Sequence, residues 1–307
     1  MLHPFRCVPI AALLSLSWAC SGASKPAPPP RDAGAADARA GGSQAGKRGG
    51  SGGRSGSGAG GAVAADGGAA ATYFKPALGS SWQIQYVGAL DTSFDVQIYD
   101  LDLADTPQAR IDELHAKGRK VICYFDTAYE AWRTDATTLE PYRGNPLDGW
   151  PDQYWLDIRE PAVFDVMLAR LDLAKSKKCD AVDADDVDAR SNNPGFPLTA
   201  NDQQSFIKRL AAAAHARGLG FGLKNDLEEI SALLDHVDFA VNEECFEQAE
   251  CDELAPFIRA GKPVFNVEYT DGDMAAKSDD ICADAKRRKF STLIKRWNLS
   301  AERVACP

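Results

Sequence analysis

Histidine is scarce in this sequence, with four residues in 307. His115, His215 and His236 fall in predicted helices or at a strand start, so they do not assemble a Ser/His/Asp set. The same scarcity argues against the His/Asp metal triad of a metal-dependent deacetylase. No Cys-x-x-Cys spacing occurs among the eight cysteines, which removes the usual zinc frameworks. No Gly-x-Gly-x-x-Gly loop follows a predicted strand, and no phosphate loop is present, so nucleotide-binding classes are not supported. Basic charge is short too. With 34 Lys+Arg against 44 Asp+Glu the chain carries a net charge of −10, which speaks against a nucleic-acid partner.

Large apolar residues are absent from a long early stretch, and this divides the chain. Residues 1–20 pair a short basic start (Arg6) with an apolar run from Val8 to Trp18, too short to span a bilayer. Small residues then flank Cys20. The pattern reads as a signal peptide of lipoprotein type, with Cys20 lipidated after cleavage; free secretion is the alternative. Membrane association is expected through that anchor alone. Residues 21–71 are Gly, Ser, Ala and Pro with scattered charges, and cannot bury enough surface to offset chain entropy. They read as a flexible tether.

Residues 72–307 are left as one folded domain. Only three of the 44 acids but seven of the 34 bases precede residue 73, so the domain holds 41 acids against 27 bases. A net charge near −14 favours a neutral or cationic ligand. In an exported protein the six cysteines of the domain suggest disulfides. Cys245 and Cys251 are close enough to staple one loop, and Cys282 and Cys306 to tie the last helix–strand unit to the C-terminus. Cys123 and Cys179 either pair or remain buried thiols.

Short apolar runs alternate with amphipathic stretches throughout the domain. Strands are expected at 82–86, 94–99, 120–125, 181–185, 220–224, 239–242, 263–267 and 290–294. Helices are expected at 106–117, 163–176, 202–217, 227–234 and 253–260, several stopped by glycine (Gly118, Gly218, Gly261). Eight strands with intervening helices predict an α/β fold of the (β/α)8 TIM-barrel type, with a doubly wound sheet as the alternative.

Acids crowd the C-terminal ends of these strands. The fourth runs Cys179–Asp188, an apolar core studded with Asp180, Asp183, Asp185, Asp186 and Asp188. A solvated acidic loop is the plain reading, and a calcium loop fails for want of its glycine and terminal glutamate. Yet Asp100, Asp126, Lys224 with Asn225, Glu243, and Glu268 with Tyr269 stand at the same end of other strands, while the opposite ends show ordinary Gly, Lys and Pro turns. That asymmetry is the mark of a barrel enzyme. Two carboxylates among aromatics are what glycoside hydrolysis needs, one to protonate the leaving oxygen and one to stabilise the oxocarbenium-like state. Tyr124 and Tyr269 belong to this end, and Trp132 with Tyr129, in a charged loop, are stacking candidates. Arg133 is placed to pair with Glu130 or Asp135.

The segments Tyr99–Asp102, Lys120–Tyr124, Tyr129–Arg133, Trp155–Ile158, Cys179–Asp188, Asn242–Cys245 and Val267–Tyr269 resemble, in order, those of glycoside hydrolase family 114, the endo-α-1,4-polygalactosaminidases. The resemblance implies a TIM barrel with a catalytic Asp after the fourth strand and a catalytic Glu after the sixth, here Asp185 and Glu243. Where the family motif reads Glu-Pro-Asp-Asn-Val-Asp, this chain has Asp183-Ala184-Asp185-Asp186-Val187-Asp188, with added charge at Asp186. It further implies internal cleavage of an α-1,4-linked galactosamine polysaccharide, a cationic polymer suited to an acidic cleft, with Asp185 as nucleophile and Glu243 as acid/base. Asp100, Tyr124, Asp126, Glu130, Trp132, Arg133, Asp186, Lys224, Asn225, Glu268 and Tyr269 are the expected substrate contacts. No metal or organic cofactor and no partner subunit is expected. The competing reading is a surface-anchored carbohydrate-binding protein on an inactive barrel.

Overall fold

The computed structural model describes residues 72–307; the signal peptide, Cys20 and the tether lie outside them. The described residues form twelve strands: β1 (Trp82–Gln85), β2 (Ile98–Asp102), β3 (Lys120–Asp126), β4 (Tyr129–Glu130), β5 (Arg143–Pro146), β6 (Gln153–Leu156), β7 (Ala181–Asp185), β8 (Gly220–Lys224), β9 (Phe239–Glu243), β10 (Val264–Tyr269), β11 (Ser291–Lys295) and β12 (Arg303–Ala305). The helices are α1 (Gln108–Ala116), α2 (Ala136–Leu139), α3 (Pro161–Ser176), α4 (Ala200–Ala216), α5 (Ile230–Leu233), α6 (Ala255–Arg259) and α7 (Met274–Arg288).

Eight parallel strands run β1-β2-β3-β7-β8-β9-β10-β11, with β12 added antiparallel at the edge. This is the single-domain TIM-type architecture the sequence predicts. Among the described residues β1 and β11 share no ladder, and side chains close the gap. The Trp82 indole donates to Ser291 O at 2.9 Å, Arg303 donates to Trp82 O, and the Gln83 amide donates to Ala301 O at 2.9 Å. Lys295, fully buried, donates to Ser300 O at 2.6 Å.

Alternation sorts each strand onto two faces. Outward residues such as Val121, Val182, Phe221 and Leu223 pack under the helices. Inward residues fill the barrel: Trp82, Ile98, Ile122, Phe239 and Phe265 form its apolar lower part. Gly222 is required there, because a Cβ would lie 2.4 Å from the Phe239 ring. A single acid closes each of two strand starts at the lower rim. Asp180 accepts from Val121 N and bonds His115, and Asp238 accepts from Phe221 N and bonds His215. Both histidines sit in the last turn of a helix within a His-Ala-Lys/Arg-Gly turn, so they hold the rim away from the acidic end.

All three cysteine pairs are disulfides. Cys245–Cys251 and Cys282–Cys306 join as expected, and Cys123–Cys179, left open by the sequence, joins β3 to the approach of β7 with Cα atoms 5.9 Å apart. The strand expected at 94–99 begins later, at Ile98, because the chain turns tightly before it, with Val96 N bonded to Phe94 O at 3.0 Å. The helices expected at 227–234 and 253–260 are short 3-10 and α turns. The antiparallel sheet β4-β6-β5 and the strand β12 are additions to the predicted pattern, while α7, which carries Cys282, is the helix of the expected last helix–strand unit.

Candidate active site

A cleft of about 760 Å³ opens at the C-terminal ends of the strands, within the range of ligand pockets. Its floor is built around Lys224, at the end of β8 and 3% exposed. The Lys224 ammonium lies 2.6 Å from Asp185 Oδ2, on β7, and 3.6 Å from Glu243 Oε2, on β9. Both carboxylates reach the same cation, so their nearest oxygens are at most 6.2 Å apart. The ammonium also sits 5.4 Å over the Tyr124 ring. Its neighbours Asp185, Glu243 and Asp183 outweigh burial and hold it well above the ordinary lysine range, so it stays charged.

Each carboxylate is oriented by further bonds. Asp185 Oδ2 lies 3.1 Å from the Tyr124 hydroxyl, and Oδ1 accepts from Asp186 N at 2.8 Å. Burial raises Asp185 to about 6, with Lys224 opposing the rise. Glu243 Oε1 accepts from the Tyr269 hydroxyl. Asn225 clamps Glu243 twice: its Oδ1 accepts from Glu243 N at 2.9 Å, and its Nδ2 lies 3.4 Å from Oε2.

Left-handed backbone collects at these strand ends. Asp186 (φ 57°), Asn225 (φ 46°), Asp226 (φ 48°) and Glu244 (φ 61°) each follow a strand that carries a site residue. Such conformations cost energy at non-glycine positions and cluster where a site demands them. Below the site lies a second acid layer, Asp183 and Asp100. Asp183 is fully buried with neither carboxylate oxygen hydrogen-bonded, and burial pushes it to about 8. Burial and the neighbouring Asp183 push Asp100 well above the usual carboxylate range.

Of the expected contacts, Tyr124, Asp126, Asp186, Lys224, Asn225 and Tyr269 line the cleft with Asp185 and Glu243. The others do not reach it. Asp100 is buried beneath Tyr86, whose hydroxyl it accepts at 3.2 Å. Glu130 and Arg133 form a buried ion-pair group with Asp102, at 2.9 and 2.7 Å from the guanidinium, that anchors the loop after β3. Asp135, the other partner expected for Arg133, is taken by Arg170 at 2.8 Å. Glu268 turns away to accept from Phe246 N and Glu247 N, holding the loop after Glu243. Trp132 is 45% exposed but off the cleft, and Tyr129 is buried.

Tyr86, one of the aromatics the sequence offers for this end of the barrel, also lines the cleft, as do Asn145, Trp150, Trp155, Glu244 and Trp297, which the sequence did not single out as site residues. Trp150 and Asn145 belong to the β5–β6 hairpin, whose existence was not anticipated. Trp297 follows β11 and stacks on Tyr269 at 4.3 Å. Cys245, Cys251 and Glu268 place potential ligand atoms within 4.8 Å of one another. The two sulfurs are bonded to each other, so no thiolate is available and the trio is not a metal ligand set.

Comparison with known proteins adds to this geometry. The model of glycoside-hydrolase family GH114 matches residues 63–307. The crystal structure of Aspergillus fumigatus Ega3 in complex with galactosamine is 41% identical, with a TM-score of 0.74 over 78% of this chain and 100% of that one. The glycoside hydrolase domain of PelA from Pseudomonas aeruginosa shares the fold at 13% identity, with a TM-score of 0.63 over 74% of this chain and 98% of its own. An uncharacterized protein of Deinococcus radiodurans is 27% identical over 242 residues, covering 66% of this chain and 77% of that one.

Proposed function

The chain belongs to glycoside-hydrolase family GH114 and is a glycoside hydrolase, and from that premise we propose that it cuts an α-1,4-linked galactosamine-containing polysaccharide internally. The observation that carries the reading is the pair Asp185 and Glu243, held about one buried ammonium on adjacent sides of β8. The galactosamine bound to the Ega3 relative supports the sugar, and the acidic cleft suits a polymer bearing protonated amines.

In this reading Asp185 is the nucleophile. One of its oxygens forms a bond to the anomeric carbon as the glycosidic C–O bond breaks, and Glu243 gives its proton to the departing oxygen. Water then attacks the same carbon, Glu243 takes the water proton, and Asp185 is released. The 6.2 Å ceiling on the nearest oxygens favours this retaining route, for which about 5–5.5 Å is usual, over inversion at about 6.5–9.5 Å. Lys224 keeps Asp185 ionised between turnovers. Export of the chain, lipidation of Cys20 and a monomeric state belong to the same proposal.

The test is release of reducing ends from partly deacetylated α-1,4-galactosaminan by the full-length chain beside Asp185→Asn and Glu243→Gln. Wild type should yield oligomers of intermediate size, and each amide variant should lose at least about 10³-fold of the rate while keeping its fold. Near-normal turnover in either variant overturns the assignment. Retention on the polymer with no cleavage by the wild type would instead support the carbohydrate-binding alternative.

A further inference from the structure

Trp150 stands out among the cleft residues because it is 40% exposed, although large aromatic side chains are usually covered. The wall that carries it is firmly built. The β5–β6 hairpin is fastened to residues 192–196, after β7: Asn145 N donates to Pro194 O at 3.0 Å, and the Asn145 amide donates to Asn193 O at 3.1 Å. Gly144 permits that approach, since a Cβ there would lie 1.9 Å from Pro194 O. Beneath the hairpin, Leu147 and Trp155 pack with Ala128 and Ala189 in a small core of their own. The turn itself is tight, with Gly149 and Asp152 both left-handed and Trp150 N bonded to Leu147 O at 3.2 Å. A rigid support thus holds a bare indole in a cleft, beside the exposed carboxylate of Asp148.

Sheet order fixes which side of the chemistry this indole occupies. The strands run β3-β7-β8-β9-β10-β11 past the site, with the catalytic pair on β7 and β9. Trp150 comes from the loop after β3, on the Asp185 side, whereas Trp297 comes after β11, on the Glu243 side and stacked on Tyr269. An enzyme that cuts inside a polymer must hold sugar units on both sides of the scissile bond. We infer that Trp150 with Asp148 forms an outlying subsite for one amino-sugar unit of the chain, the indole covering an apolar sugar face and the carboxylate favouring a protonated amine. The inference rests on the function proposed above and deepens it: this subsite makes turnover depend on substrate length.

Defined α-1,4-galactosamine oligomers of increasing length and the partly deacetylated polymer, given to wild type, Trp150→Ala and Trp150→Phe, test it. The alanine variant should raise KM on the polymer by about fivefold to tenfold, and its deficit should shrink as the oligomer shortens. The phenylalanine variant should recover most of the loss. A deficit equal at every length assigns Trp150 a merely structural role, and no deficit on the polymer removes the subsite; either result overturns the inference while the function stands. A wild type that leaves every one of these substrates intact overturns both.

Discussion

Lys224 decides the ionisation of the site. Its ammonium opposes the burial that raises Asp185 to about 6, so kcat/KM should climb as pH rises through that value. Replacement by Met removes the opposing charge, and the acid limb of the pH profile should move upward by about 1–3 units. A limb that stays in place, or moves to lower pH, would show that Lys224 does not set the Asp185 charge. The acidic strand ends were legible in the sequence as a candidate site, and only the resemblance to the family singled out Asp185 and Glu243 among them; both line the cleft. The Arg133–Glu130 pair was readable too, but its burial with Asp102 and the bracing role of Glu268 were not, since a charged residue near a strand end looks the same whether it faces the cleft or braces a loop. Only partners distant in sequence, such as Asp102 for Arg133 and Phe246 N for Glu268, separate the two cases.

Barrel strands were readable because each buries a full apolar row. The β4-β6-β5 sheet offers no such row: β5 reads Arg-Gly-Asn-Pro, with no β-branched residue, and forms through its contacts with residues 192–196. The bounds of α7, foreseen only as the helix of the last helix–strand unit, were unreadable for a related reason. Met274, Ile281 and Ala285 are its only buried apolar residues, too sparse for a periodic signal, although Asp273 caps its first turn by accepting from Ala275 N at 2.9 Å. Gly144→Ala tests the hairpin as a unit. The added methyl meets a backbone carbonyl that cannot swing aside, so the hairpin should part from the loop after β7. Expected results are faster amide exchange across residues 143–156 and a melting temperature lower by about 2–10 °C. Unchanged exchange would mean the two loops are not fastened at this point.

The whole barrel carries its acids at a cost. Burial raises Asp183 and Asp226 to about 8 and Asp185 to about 6, and pushes Asp100, Asp186 and Glu130 upward as well. A carboxyl raised on folding stabilises fully below its unfolded value near 4, and that contribution is lost as pH rises through the folded value. The melting temperature should therefore fall between pH 4 and pH 8. Asp183→Asn, uncharged at every pH, should flatten that fall and raise stability at pH 8. A variant whose melting temperature keeps the wild-type slope would contradict a buried, protonated Asp183.

The central claim, retaining hydrolysis of a galactosamine polymer by Asp185 and Glu243, meets its most direct test in proton NMR. The full-length chain is added to partly deacetylated α-1,4-galactosaminan, and the anomeric signals of the first products are followed before mutarotation. New reducing ends should appear first as the α anomer from the wild type, with none from Glu243→Gln. First appearance of the β anomer, or of products from the Glu243→Gln chain, would contradict it.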